Sequence, residues 1–266
     1  MGRIETRFAE LKNRDRKAFV AYITAGDPTL DATVRLVKEF DRQEVDIVEL
    51  GVPFSDPVAD GPVNQEAAMR ALLNDVSVGD ILEAVREIRR DSDIPMIFFA
   101  YYNSILAYGP EQFVRDAEAA GIDGALVLDL PLEEAGNYKA LMDLAGLATV
   151  FLVSPVTPPD RVKIIAESTT GFVYYVSRLG VTGERDTIAG DIPEHVARIK
   201  SFTDTPVVVG FGISNPDQVK ETAAYADGVV VGSSIVRRIG ANGRQHGFEH
   251  EIGRYVGTLT RALQGG

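Results

Sequence analysis

Eight short runs of apolar, often β-branched residues recur along the 266-residue chain, and their alternation with helical segments limits the fold more than any other feature. The runs are Ala18–Ile23, Asp46–Leu50, Pro95–Tyr101, Gly124–Leu128, Thr149–Val153, Phe172–Val176, Pro206–Val209 and Gly228–Val231. Most are continuously apolar rather than alternating, the pattern of parallel strands covered on both faces. Between them, Leu30, Val34 and Val37 repeat at helical spacing, as do Ile81, Leu82, Val85 and Ile88. The pairs Asp27-Pro28, Gly109-Pro110, Thr157-Pro158 and Asn215-Pro216 put proline at or near a first helical turn, three of them behind a side chain able to cap. Eight such units could close into a parallel barrel or open into a doubly wound sheet. A barrel of roughly 250 residues would use the whole chain, and no Gly/Ser/Pro-rich linker interrupts it. The expectation is a single α/β domain, residues 1–266, folded as a (β/α)8 TIM barrel. An extra N-terminal helix and an extra helix after strand two, Val63–Leu73, complete it.

Composition narrows the function. A formal net charge of −12 would repel nucleic acid and anionic membranes as main partners, although one local pocket can still take an anionic small molecule. Without cysteine, disulfides, thiolate catalysis and cysteine metal sites are excluded. His246 and His250 have a metal-like spacing, but no acidic or cysteinyl residue joins them in a known pattern, so they read as solvated histidines near a helix end and no metal is expected. The charged N-terminal stretch has no apolar run that would make a signal peptide or a membrane span. A cytoplasmic protein is expected.

Two strand-to-helix connections are long, one after strand two and one after strand six, Ser177–Gly190. Long connections in compact domains are functional or disordered, and in a barrel both would lie on the C-terminal face, where active sites are built. Glu49 ends an otherwise apolar strand. It is either an acid–base group with its pKa raised by burial or a glutamate salt-bridged at the rim. Asp60 follows on the loop that leaves the same strand, and paired carboxylates in different surroundings can divide acid and base roles. Strands seven and eight run into VVVGFGISNP and VVVGSSIV, where backbone N–H groups at Gly212, Gly232 and Ser233 beside a helix N-terminus would cradle phosphate. On the strand-six loop, Gly180, Thr182 and Gly183 with the crest Glu184–Asp186 fit a closing lid or a disordered surface loop. Tyr22, Phe99, Tyr101, Tyr174 and Phe211 at strand ends fit either an apolar pocket or ordinary core.

Taken together, AYITAGDP, ELGVPFSDPVADGP, YYNSILAYG, LVLDLPLEE, SRLGVTG, GFGIS and VVVGSSIV closely resemble the tryptophan synthase alpha subunit family, in order and over essentially the whole chain. The ELGxPFSDPxADGP stretch is the specific part. Ser104 departs from the family, which often has proline there. The resemblance implies a carbon–carbon lyase that cleaves indole-3-glycerol phosphate to indole and glyceraldehyde 3-phosphate without metal or organic cofactor in this subunit. It implies Glu49 as the acid–base residue and Asp60 as the partner of the indole N–H. Gly183, Gly212, Gly232 and Ser233 would bind phosphate. Tyr22, Phe99, Tyr101, Tyr174 and Phe211 would surround the indole, and Thr182 would meet Asp60 on lid closure. Tyr22 stands where many relatives have phenylalanine, so its hydroxyl needs a partner or a wet edge. The resemblance further implies a beta subunit carrying pyridoxal phosphate, assembled with this chain as an alpha2-beta2 heterotetramer, with Asp56, Asn103 and Pro131 facing it. The rival readings are another phosphate-binding barrel, a stand-alone lyase that releases indole, and a non-catalytic activator of the beta subunit.

Overall fold

The computed structural model describes residues 2–177, 191–210 and 212–264. Its strands are β1 (Ala18–Thr24), β2 (Ile47–Gly51), β3 (Met96–Ala100), β4 (Gly124–Val127), β5 (Ala148–Val150), β6 (Leu152–Val153), β7 (Val173–Val176), β8 (Val207–Gly210) and β9 (Gly228–Val231). All pairings are parallel, in the order β5-β4-β3-β2-β1-β9-β8-β7-β6. The ends of that order, β5 and β6, are consecutive in the chain and separated only by Phe151. They are two halves of one barrel strand: β5 pairs with β4 and β6 with β7, which closes the ring. The predicted fifth strand is thus present but broken, and the eight-stranded barrel is the observed fold.

The helices are α1 (Arg3–Asn13), α2 (Leu30–Arg42), α3 (Pro62–Leu72), α4 (Val78–Arg89), α5 (Tyr102–Tyr108), α6 (Pro110–Ala120), α7 (Gly136–Leu144), α8 (Pro159–Ser168), α9 (Ile192–Lys200), α10 (Pro216–Ala223), α11 (Ser233–Asn242) and α12 (Phe248–Thr260). The expected extra helices are α1 and α3. Two more, α5 and one of the pair α11 and α12, had no separate signal in the apolar spacing. Asn215 caps α10 as read, accepting from the Gln218 N–H at 3.0 Å. Asp27 does not cap: Thr29 caps α2, and the Asp27 carboxylate instead takes a bidentate ion pair from Arg70 of α3, both contacts at 2.8 Å.

Strand alternation sorts the core into two layers. Phe19, Ala21 and Ile23 of β1, with Val48 and Leu50 of β2, pack outward against the helices. Val20, Tyr22, Ile47, Ile97, Leu126, Val150, Tyr174, Val208 and Val230 fill the barrel interior. Because Ile47 points inward, the pleat turns Glu49, two residues on, to the same interior side at the strand's C-terminal end.

At the other end, one device recurs four times. Phe19 N–H donates to the Asp46 carboxylate at 2.8 Å, and Asp46 N–H returns to the Phe19 carbonyl. Asp123 clasps Met96 and Asp227 clasps Val207 in the same reciprocal way, and Thr170 clasps Thr149 through its hydroxyl. Helix α1 closes this end, burying Ile4, Phe8 and Leu11 and pairing Arg7 with Asp46 and Arg3 with Asp123.

Candidate active site

Glu49 is fully buried, and neither carboxylate oxygen has a hydrogen-bond partner among the described residues. Burial alone pushes its pKa up to about 8, because no cation or donor offsets the loss of solvent around the charged form. Among the described residues no cation pairs with Glu49, which favours the acid–base reading of this residue over the salt-bridged one.

Asp60, 6% exposed, lies where the loop from β2 enters α3. Its carboxylate accepts the Tyr101 hydroxyl at 2.9 Å and the Asn64 amide at 3.3 Å, while Gln65 donates to its backbone carbonyl at 2.8 Å. Burial leaves its pKa raised, and the Tyr101 and Asn64 hydrogen bonds offset only part of that rise. Tyr101 also accepts the Ala59 N–H at 3.0 Å and stacks on Phe54, with ring centroids 5.0 Å apart, so the loop is tied to the end of β3 at both polar and apolar contacts. The two carboxyl groups therefore differ in kind: Asp60 is held by donors and Glu49 is not.

Glu49 lines a cavity of about 40 Å³ together with Tyr22, Asn64, Phe99, Tyr174, Gly212, Val230, Gly232 and Ser233. Tyr22 packs edge-on to Phe99 at 5.0 Å. Its hydroxyl meets Thr24 Oγ1 at 3.5 Å, the partner this position requires. The hydroxyl pKa values of Tyr22 and Tyr174 are raised well above the ordinary value, first by burial and then by the nearby carboxylates. Gly232 precedes α11 and Ser233 opens it, so the helix delivers first-turn N–H groups and the positive end of its dipole to the cavity. Gly212 has φ +77, a backbone state that glycine tolerates. A larger cavity, about 390 Å³, lies at the opposite end of the barrel beside α1.

Three features escaped the sequence reading. Asn64 sits one helical turn after Asp60 and lines the cavity, a signal the i, i+4 spacing carried. Gly51 and Gly210 leave room for tyrosines: a Cβ at either would stand 2.4 Å from the hydroxyl oxygen of Tyr22 or Tyr174. Of the predicted residues, Glu49, Tyr22, Phe99, Tyr174, Gly212, Gly232 and Ser233 come together around one cavity, with Asp60 and Tyr101 joined to it through Asn64. Thr182, Gly183 and Phe211 lie outside the described residues.

The profile of the tryptophan synthase alpha chain family matches residues 8–261. The chain belongs to the tryptophan synthase alpha chain family. It is 45% identical to the tryptophan synthase alpha chain of Geotalea daltonii, covering 100% of this chain and 99% of that one. With the tryptophan synthase alpha chain of Geobacter sulfurreducens it shares 48% identity over 99% and 98% of the two chains. Among solved structures, a chain of Mycobacterium tuberculosis tryptophan synthase superposes with a TM-score of 0.90 at 35% identity, covering 100% and 99%. Tryptophan synthase subunit alpha of Legionella pneumophila gives 0.88 at 34%, covering 99% of each chain.

In this tryptophan synthase alpha chain family member, the positions expected to face a partner are exposed. Asp56 lies on the loop after β2, Asn103 in the first turn of α5, and Pro131 on the loop after β4, all at C-terminal strand ends. Val58 and Leu106, 71% and 51% exposed, put apolar surface beside the first two. Of the two late histidines, His250 is exposed with Nδ1 3.3 Å from Glu39, and His246 lies in an exposed turn. Among the described residues no group of three or more acidic, histidine or cysteine side chains is placed to hold a metal. No described helix is long and apolar enough to cross a membrane.

Proposed function

We propose that this chain is the alpha subunit of a tryptophan synthase, a cytoplasmic lyase that cleaves indole-3-glycerol phosphate to indole and glyceraldehyde 3-phosphate. The observation that carries the reading is Glu49: a buried, partnerless carboxyl raised to about 8 and facing a cavity that also receives a helix N-terminus. At neutral pH such a group holds its proton. It gives that proton to indole C3, which makes the ring an electron sink and weakens the bond from C3 to the first chain carbon. The carboxylate left behind has no donor among the described residues to quiet it and is a stronger base than a solvated carboxylate. It takes the proton of the hydroxyl on that same chain carbon as the bond breaks and the aldehyde forms. Glu49 is protonated again, so one side chain completes both transfers.

Asp60 accepts the indole N–H and stabilises the positive charge that the ring carries after protonation at C3. Its role needs the ionised form, which the Tyr101 and Asn64 donors favour. Gly212, Gly232, Ser233 and the start of α11 bind the phosphate, joined by Gly183. Tyr22, Phe99, Tyr174 and Tyr101 enclose the ring, and by the family resemblance Phe211 would join them and Thr182 would meet Asp60. The reaction uses this chain's own side chains. Pyridoxal phosphate belongs to the beta subunit, which binds across Asp56, Asn103 and Pro131 in an alpha2-beta2 assembly and receives the indole.

A beta subunit seated on the face that carries Asp56, Asn103 and Pro131 would favour the reactive arrangement of the loops around the cavity and raise the rate. The test is indole release by wild type and Glu49→Gln, each with and without a beta subunit. Wild type should release indole faster with beta. Glu49→Gln should lose about 10²–10⁴-fold, keeping its fold and its binding of beta. A near-normal rate for the variant, or no indole from wild type with beta, would overturn the reading.

A further inference from the structure

Of the buried side-chain polar atoms without a partner among the described residues, three line the cavity: the two oxygens of Glu49 and Oδ1 of Asn64. The mechanism employs the first two and leaves the third idle. Asn64 is 6% exposed and sits in the first turn of α3. Its amide orientation is settled by its neighbour. The contact to Asp60 Oδ1 at 3.3 Å needs a donor, because a carboxylate only accepts. The NH2 therefore faces Asp60, and the carbonyl oxygen is the end left over. A buried amide oxygen with no donor costs free energy unless a ligand supplies one.

The lyase reading, on which this inference rests, names every donor on the substrate but one. The indole N–H goes to Asp60. The hydroxyl on the first chain carbon goes to Glu49, since it must lose its proton. The hydroxyl on the second chain carbon, between the scissile bond and the phosphate, has no partner. We infer that Asn64 Oδ1 accepts that hydroxyl, so that one amide grips the substrate's chain with its oxygen and Asp60 with its nitrogen. Asn64 is then a substrate-binding residue that selects a phosphorylated diol over its deoxy counterpart. Through the Nδ2 contact it also couples the grip on the chain to the carboxylate that holds the ring.

The test compares two substrates on two proteins, with the beta subunit present. One substrate is indole-3-glycerol phosphate; the other lacks only the hydroxyl on the second chain carbon. For wild type, loss of that hydroxyl should raise KM about tenfold, the scale of one neutral hydrogen bond. Asn64→Leu, close in volume, should raise KM for the parent substrate by a similar factor and add no further penalty for the deoxy compound. A side chain that merely supports the helix would weaken both substrates alike. Equal penalties for the two substrates in Asn64→Leu would therefore overturn the inference. Direct titration of wild type with both compounds needs no folded variant, and equal affinities there would overturn it as well. Wild type that releases no indole from the parent substrate would instead sink the lyase reading, and the inference with it.

Discussion

Glu49 should make the protein's stability depend on pH in a way that one substitution abolishes. Its carboxyl titrates near 8 in the folded state against a reference of 4.5. Between those values the folded chain holds a proton that the unfolded chain releases, so stability falls as pH rises through this window and is steady above it. The full displacement corresponds to about 5 kcal/mol, and about 4 kcal/mol of it falls between pH 5 and 8.5. Glu49→Gln removes the titration while keeping shape and polarity. Near pH 5, where the buried group is neutral in both proteins, the two should differ little. At pH 8.5 the variant should be the more stable by up to about 4 kcal/mol, which for a chain of this size is roughly 8–16 °C in Tm. The other carboxyls whose pKa burial raises, Asp46, Asp60 and Asp123, are common to both proteins and cancel in the difference. Urea unfolding followed by far-ultraviolet circular dichroism at the two pH values measures it directly. If the two proteins differ by the same amount at both pH values, within about 1 kcal/mol, the carboxylate is solvated or paired in solution, and the acid–base argument built on its isolation fails.

Three further outcomes follow from the same geometry. The kcat/KM of indole release should decline above about pH 8, because the free protein needs Glu49 protonated to deliver the first proton; a profile that rises through pH 9 would contradict this. Tyr101→Phe removes the donor at 2.9 Å from Asp60 and the acceptor of Ala59 N–H, and should lower kcat/KM about tenfold or more, read in steady-state kinetics, with little change in Tm. Arg70→Ala strands the buried Asp27 carboxylate and should cost about 3 kcal/mol in urea unfolding; Arg70→Lys should recover only part, since one ammonium cannot repeat two parallel contacts.

How much of this was legible depended on whether the determining contacts were local. The strands were readable because a parallel barrel buries both faces of each, which leaves continuous apolar runs such as Gly228–Val231. The break at Phe151 was not, since Thr149–Val153 is equally apolar on either side of it. Glu49 was conspicuous because a carboxylate ends an apolar strand. Asp27 misled for the opposite reason: before a proline it has the form of a helix cap, and its real partner, Arg70, lies 43 residues away. Nothing in the sequence marks the role of Gly51 and Gly210, because the tyrosine each accommodates belongs to a neighbouring strand. Asn64 belongs to a helix whose apolar spacing explains its presence without chemistry. Its meaning depends on a carboxylate one turn earlier and on a cavity that only the closed ring creates.

The four clasps at the N-terminal end divide the ring into quarters: Asp46 joins the first two strands, Asp123 the next two, Thr170 the halves of the third quarter, and Asp227 the last. Each quarter is fastened by its own side chain at one rim, while Glu49 and Asp60 stand at the other. A chain severed between quarters keeps every fastening within a fragment, whereas a cut inside a quarter parts a clasped pair. Among the described residues no reciprocal clasp of this kind stands at the reactive rim, so side chains there can be exchanged for other chemistry while the hoop beneath stays tied.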